Sequence, residues 1–105
     1  MTLPPTSARD AVRGTVPKMI EVTEKVIYGD IWERPGLSKR DRSLVVLATL
    51  ISTYRPEQLP GHLARALDNG VTRQEISEII THLAFYAGWP KAMSALQVAK
   101  RVFAE

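Results

Sequence analysis

The chain contains no cysteine. It can therefore form no disulfide, present no thiolate nucleophile and build neither a CxxC redox pair nor a cysteine-ligated zinc site. Histidine is almost as scarce, with two copies in 105 residues, so few groups can exchange protons near neutrality. With no His-x-x-x-His pair and no acidic triplet, no metal site is expected. Long apolar runs are missing too. The longest, LVVLATLIS, is about half of the roughly 20 residues that a membrane span needs. The opening stretch MTLPPTSARDAVRGTVP lacks the 7–15-residue apolar core of a signal peptide. These absences point to a cytoplasmic protein with no membrane partner. The net charge is only +3, and the basic residues form no run of the kind a nucleic-acid tail needs, so no nucleic-acid partner is expected.

What is present is ordinary soluble composition, 45% hydrophobic and 24% charged, in a length that suits one compact domain. No convincing alternating strand appears, and Asn69-Gly70 sits between two helical patterns rather than two strands. Residues 1–6, with Pro4 and Pro5, read as a loose arm, and residues 7–105 as a single helical domain. A short helix is expected over Ser7 to Arg13. Pro17 suits the first turn of the next, with Thr15 near its cap, and Met19, Val22, Val26 and Ile27 recur at helical spacing. RPGLS interrupts at Arg34 to Ser38. Ser38 then opens a helix through SKRD, a capping box with Asp41 in the acidic place. From Leu44 to Ile51 nearly every position is apolar, so this helix should be covered on most sides, partly by another chain.

A further helix is expected from Leu59 to Asn69, with Leu59, Leu63, Ala66 and Leu67 inward and Gly70 just past its end. Thr72 and Glu75 form a full capping box for a helix burying Ile76, Ile79, Ile80, Leu83 and Ala87. Gly88 ends it. Pro90 opens the last helix, with Ala92, Ala95, Leu96, Ala99, Val102 and Phe103 as its core stripe. The fold class is all-α, a bundle of five to six helices.

Three stretches resemble the carboxymuconolactone decarboxylase family: YGDIWERPGLSKRDRSLVVLATL (28–50), GHLARALDNGVTRQEISEII (61–80) and HLAFYAGWPKAMSALQVAKRVF (82–103). They follow the family's order and spacing. The fold this implies is shared with the alkylhydroperoxidase D-like proteins, which carry C-x-x-C-x-x-x-H at a helix start. With His62 as that histidine, the cysteine positions fall on Arg55 and Gln58, and the relay glutamate near Ser43. Thiol peroxidase chemistry is excluded.

The resemblance implies a decarboxylase acting on a carboxylated lactone or related small acid. The alternative is a non-catalytic binding or assembly protein on the same fold. Loss of carbon dioxide from such a lactone leaves a delocalised carbanion whose charge reaches the lactone oxygen, so no cofactor is required. The protein must hold an anionic substrate, stabilise the oxyanion and return a proton to carbon. His62 is the first candidate for proton donor. It lies about 60° from Leu59 round its helix, at the edge of the apolar stripe. The competing reading is a boundary histidine bonded to a nearby carbonyl.

Arg42, on the RSL helix entry, and Arg40 beside it are candidates to clamp a carboxylate. Arg55 is a second substrate contact. Glu57 could orient the imidazole or simply favour the helix dipole. His82, flanked at four-residue spacing by Glu78 and Tyr86, is either a relay or a local structural set. Phe85, Tyr86 and Trp89 read as core or subunit interface. The resemblance further implies association as a homotrimer or homohexamer with pockets at subunit contacts.

Overall fold

The structure, a computed structural model, describes residues 7–104. The arm expected over residues 1–6 lies outside the described residues. Among those described, six α-helices appear and no strand: α1 (Ser7–Val12), α2 (Pro17–Val22), α3 (Lys39–Ser52), α4 (Leu59–Asp68), α5 (Arg73–Tyr86) and α6 (Trp89–Ala104). The chain divides into two compact units, one up to Lys39 and one from Arg40 onward.

In the first unit α2 runs directly into a π-helical segment, Thr23–Tyr28, followed by a 3-10 turn, Ile31–Glu33. Pro17 stands at the start of α2 as expected. The cap is Val16 rather than Thr15, and no side chain caps the end. The expected stripe is not the inward face. Met19, Val22, Val26 and Ile27 are exposed, while Ile20 and Tyr28 are buried. The wider π turn brings residues eight apart nearer to one line than an α-helix would. Gly29 ends the segment because a Cβ there would meet the Lys25 carbonyl oxygen at 2.6 Å. Arg13 bonds both Asp10 and Glu24, at 2.8 Å each, which pins α1 to the π segment. Arg9 lies over the Tyr28 ring at 5.0 Å.

The second unit holds a continuous apolar core contributed by α3 (Leu47, Ile51), α4 (Leu59, Leu63, Ala66), α5 (Ile76, Ile80) and α6 (Ala92, Ala95, Val98, Ala99). The inward stripes of α4 and α5 are those expected, except that Ala87 lies just past the end of α5 and outside the core. On α6 the buried arc runs from Val98 through Ala95 and Ala99 to Ala92, and Leu96 falls about 40° beyond Ala92. It is therefore exposed, and Val98 takes the buried place. On α3 only one side is covered: Val45 is 58% exposed.

The ends of α4 and α5 are closed by Gly70 (φ +97) and Gly88 (φ +118), a conformation that costs glycine nothing. The start of α5 carries the complete capping box. Glu75 N–H donates to Thr72 Oγ1 at 3.0 Å, and Thr72 N–H donates to Glu75 Oε1 at 2.9 Å. Such a cap is typically worth about 1 kcal/mol.

Candidate active site

His62 lies in the first turn of α4, partly buried. Its ring makes no hydrogen bond to another described residue. Burial pushes its pKa down to about 4, and the charge of Arg65 adds to the effect. The imidazole is therefore neutral at pH 7, with a fixed cation one helical turn away. Arg65 is partly buried with its Nε closed off from solvent. This arrangement disfavours a second positive charge and favours an anion.

The start of α3 is tied to the end of α4 by a side-chain bond, and at their other ends the two helices are linked by the loop that holds Arg55. Asn69 Nδ2 donates to the buried Ser43 Oγ at 3.0 Å, tying the start of α3 to the end of α4. At the other end Leu59 N–H donates to the Arg55 carbonyl at 3.2 Å. Arg42, next to Ser43, therefore belongs to the end of α4 remote from His62. The seven residues between His62 and Asn69 span about 10 Å along the helix. Arg42 is partly buried with its Nε closed off from solvent. Arg65 is nearer to the ring. It was not singled out from the sequence, where cations were sought at helix starts, although its three-residue spacing from His62 places both on one face.

The remaining candidates disperse. Arg40 reaches Glu75 of the capping box, where Thr72 and then Arg40 hold that carboxyl below its usual range. A carboxylate clamp at Arg40 would have to displace this partner. Arg55 and Glu57 are exposed. The Arg55 side chain donates to the carbonyl of Tyr54 at 3.4 Å, and the Glu57 side chain bonds no other described residue. His82 is exposed on α5, its ring 4.7 Å from that of Tyr86 and tilted by 34°. With Glu78, Ile79 and Leu83 it faces Leu44 and Ala48 of α3 across a groove of about 390 Å³. His82 and Tyr86 thus meet as the spacing indicated, while no hydrogen bond joins His82 to Glu78. The aromatics at the end of α5 are not core: Phe85 is 76% exposed, Tyr86 79% and Trp89 59%. Among the described residues no three histidine, aspartate or glutamate side chains gather closely enough to hold a metal ion, and no helix is long and apolar enough to cross a membrane.

Residues 17–101 match the family model described as the carboxymuconolactone decarboxylase family. The chain belongs to the carboxymuconolactone decarboxylase family. Three relatives are similar to it. It is 42% identical over 76 residues to a 4-carboxymuconolactone decarboxylase of Acinetobacter baylyi, which covers 72% of this chain and 57% of the relative. It is 37% identical over 93 residues to nitrosuccinic acid decarboxylase npaB of Metarhizium robertsii, covering 89% and 64%. An uncharacterized 15.0 kDa protein of Paracoccus denitrificans is 31% identical over 80 residues, covering 74% and 60%. The chain thus spans about three fifths of the length of the curated relatives it matches. The family's matched region takes in every candidate residue named above, from Arg40 to His82.

Proposed function

We propose that this chain is a cofactor-independent carboxy-lyase of the cytoplasm, acting on a carboxylated lactone or a related small acid. Family membership and the names of two relatives support the reaction type. The observation that carries the mechanism is His62, neutral and partly buried beside Arg65.

In the proposed reaction the bond between the carboxylate and the ring carbon breaks heterolytically. Carbon dioxide leaves, and the electron pair passes into the conjugated lactone, ending as an oxyanion. Arg65, one helical turn from the ring, holds an anionic group of the substrate; Arg42, Arg55, Glu57 and His82 lie apart from the ring and take no part in this step. The empty site disfavours a charged ring, but a bound dianion reverses the balance by favouring the positive form. His62 therefore takes up a proton as substrate binds and delivers it to carbon once carbon dioxide has gone.

Incubation of the purified protein with 4-carboxymuconolactone should remove the lactone's ultraviolet absorbance. His62→Ala should lower kcat by about 10²–10⁴-fold, the usual contribution of a positioned acid. No turnover by the wild type removes the substrate. Undiminished turnover by the variant removes the mechanism.

The exposed Phe85, Tyr86 and Trp89, together with Val45 on α3, support self-association as a homotrimer or homohexamer. A purely assembling, non-catalytic role is the second reading that this surface favours.

A further inference from the structure

Three helix ends in the second unit turn the chain through a left-handed residue. At α4 and α5 that residue is glycine; at α3 it is Tyr54, with φ +56, the one positive-φ residue other than glycine among those described. The turn is closed by Tyr54 N–H donating to the Ile51 carbonyl at 3.2 Å and Arg55 N–H donating to the Leu50 carbonyl at 2.8 Å. Glycine would form the same turn without strain, whereas a bulky residue in this conformation is costly and persists where the side chain has another use. The tyrosine ring is 54% exposed, so core packing is not that use.

Tyr54 instead walls two adjoining hollows. One is a cleft of about 380 Å³ shared with Ser94, Gln97, Lys100 and Arg101 of α6. The other is a small recess that Tyr54 and Ser94 share with Arg55 and Lys91. No acidic residue lines either. None of Arg55, Lys91, Lys100 and Arg101 forms an ion pair with a described residue, although cations elsewhere do so, as at Arg13, Lys18 and Lys39. Four cations around these two adjoining hollows, unpaired among the described residues, raise the local positive potential and concentrate anions there. The phenol, the hydroxyl and the amide supply neutral hydrogen-bond partners, and the cleft volume lies in the range usual for small-molecule sites.

We propose that the Tyr54–Arg101 cleft binds a small polyanion, with Lys100 and Arg101 as its principal charge partners. Arg55 of the small recess is also a candidate substrate contact, but the principal partners, Lys100 and Arg101, belong to no part of the decarboxylase reading. The inference rests on charge and shape, and its test involves no turnover, so either reading can fail alone.

Isothermal titration calorimetry at low salt, on the full chain, tests it with citrate and with inorganic phosphate as probes. A binding event that weakens as salt is added is expected, and its loss on substituting Lys100 and Arg101 separates it from any carboxylate binding beside His62. Citrate binding alone assigns a polycarboxylate ligand, and phosphate binding alone a phosphate ester. The double substitution Lys100→Gln/Arg101→Gln should weaken binding at least tenfold. Tyr54→Gly should also weaken it while leaving the melting temperature unchanged or higher, which separates lost binding from lost folding. Lys18→Gln/Lys25→Gln, on exposed cations of the first unit, should change nothing. Absence of saturable binding to both probes overturns the proposal, as does binding that survives the Lys100/Arg101 substitutions intact.

Discussion

A histidine in water gains its proton at about pH 6.5, whereas His62 in the folded chain holds out until about pH 4. Between these values the unfolded chain carries a proton that the folded chain does not. The folded state is therefore favoured fully above about pH 7 and loses ground as pH falls through 6.5 toward 4. The shift would be worth about 3 kcal/mol without screening. The ring is only partly buried, which reduces this to on the order of 1–2 kcal/mol. Urea unfolding of wild type and His62→Gln at fixed protein concentration reads the effect. The stability difference between the two proteins should change by that amount between pH 7 and pH 4, to the disadvantage of the wild type. Parallel curves would mean that the ring is not desolvated.

Among the elements, those with punctuation on both sides were the most legible. The capping box of Thr72 and Glu75 and the glycines after α4 and α5 are local chemistry, and the structure forms each one. The π segment was not legible, because Thr23 to Tyr28 reads as helix in composition and the wider turn changes only which residues face inward. Leu96 was misplaced for a related reason: a stripe with three alanines and a leucine at similar spacing has two plausible centres, and packing against α5 and α4 chooses between them. The end of α5 was left open between core and interface, and exposure of Phe85, Tyr86 and Trp89 removes the core reading. Apolar surface of this kind usually marks a contact site. In size-exclusion chromatography at micromolar concentration the wild type should elute at several times the mass of one 11.7 kDa chain, and Phe85→Glu/Trp89→Glu should elute as a single chain. A wild type that elutes as a single chain would leave this face without a partner copy.

At the scale of the molecule, the sequence put His62 on a helix at the edge of its apolar stripe but did not report its surroundings. The offset of His62 from Leu59 placed the ring at a boundary, and the ring is partly buried. Arg65 was missed because cations were sought at helix starts, and its three-residue spacing from His62 does not by itself report its partial burial. The cleft at Tyr54 was missed because it requires a left-handed turn at a non-glycine residue and the return of α6 past that turn. Neither is encoded in a local pattern.

The proposed function rests on a neutral imidazole beside a fixed cation, which by that proposal charges when an anion arrives. With only two histidines in the chain, nuclear magnetic resonance can follow both rings directly, and His62→Gln assigns them. Titration of the ring with and without a saturating, unreactive dicarboxylate is the decisive measurement. The expected result is a pKa of about 4 in the empty protein and a clear upward shift in the complex. A ring that titrates near 6.5 in both states, or that ignores the bound anion, would contradict the proposed role of His62.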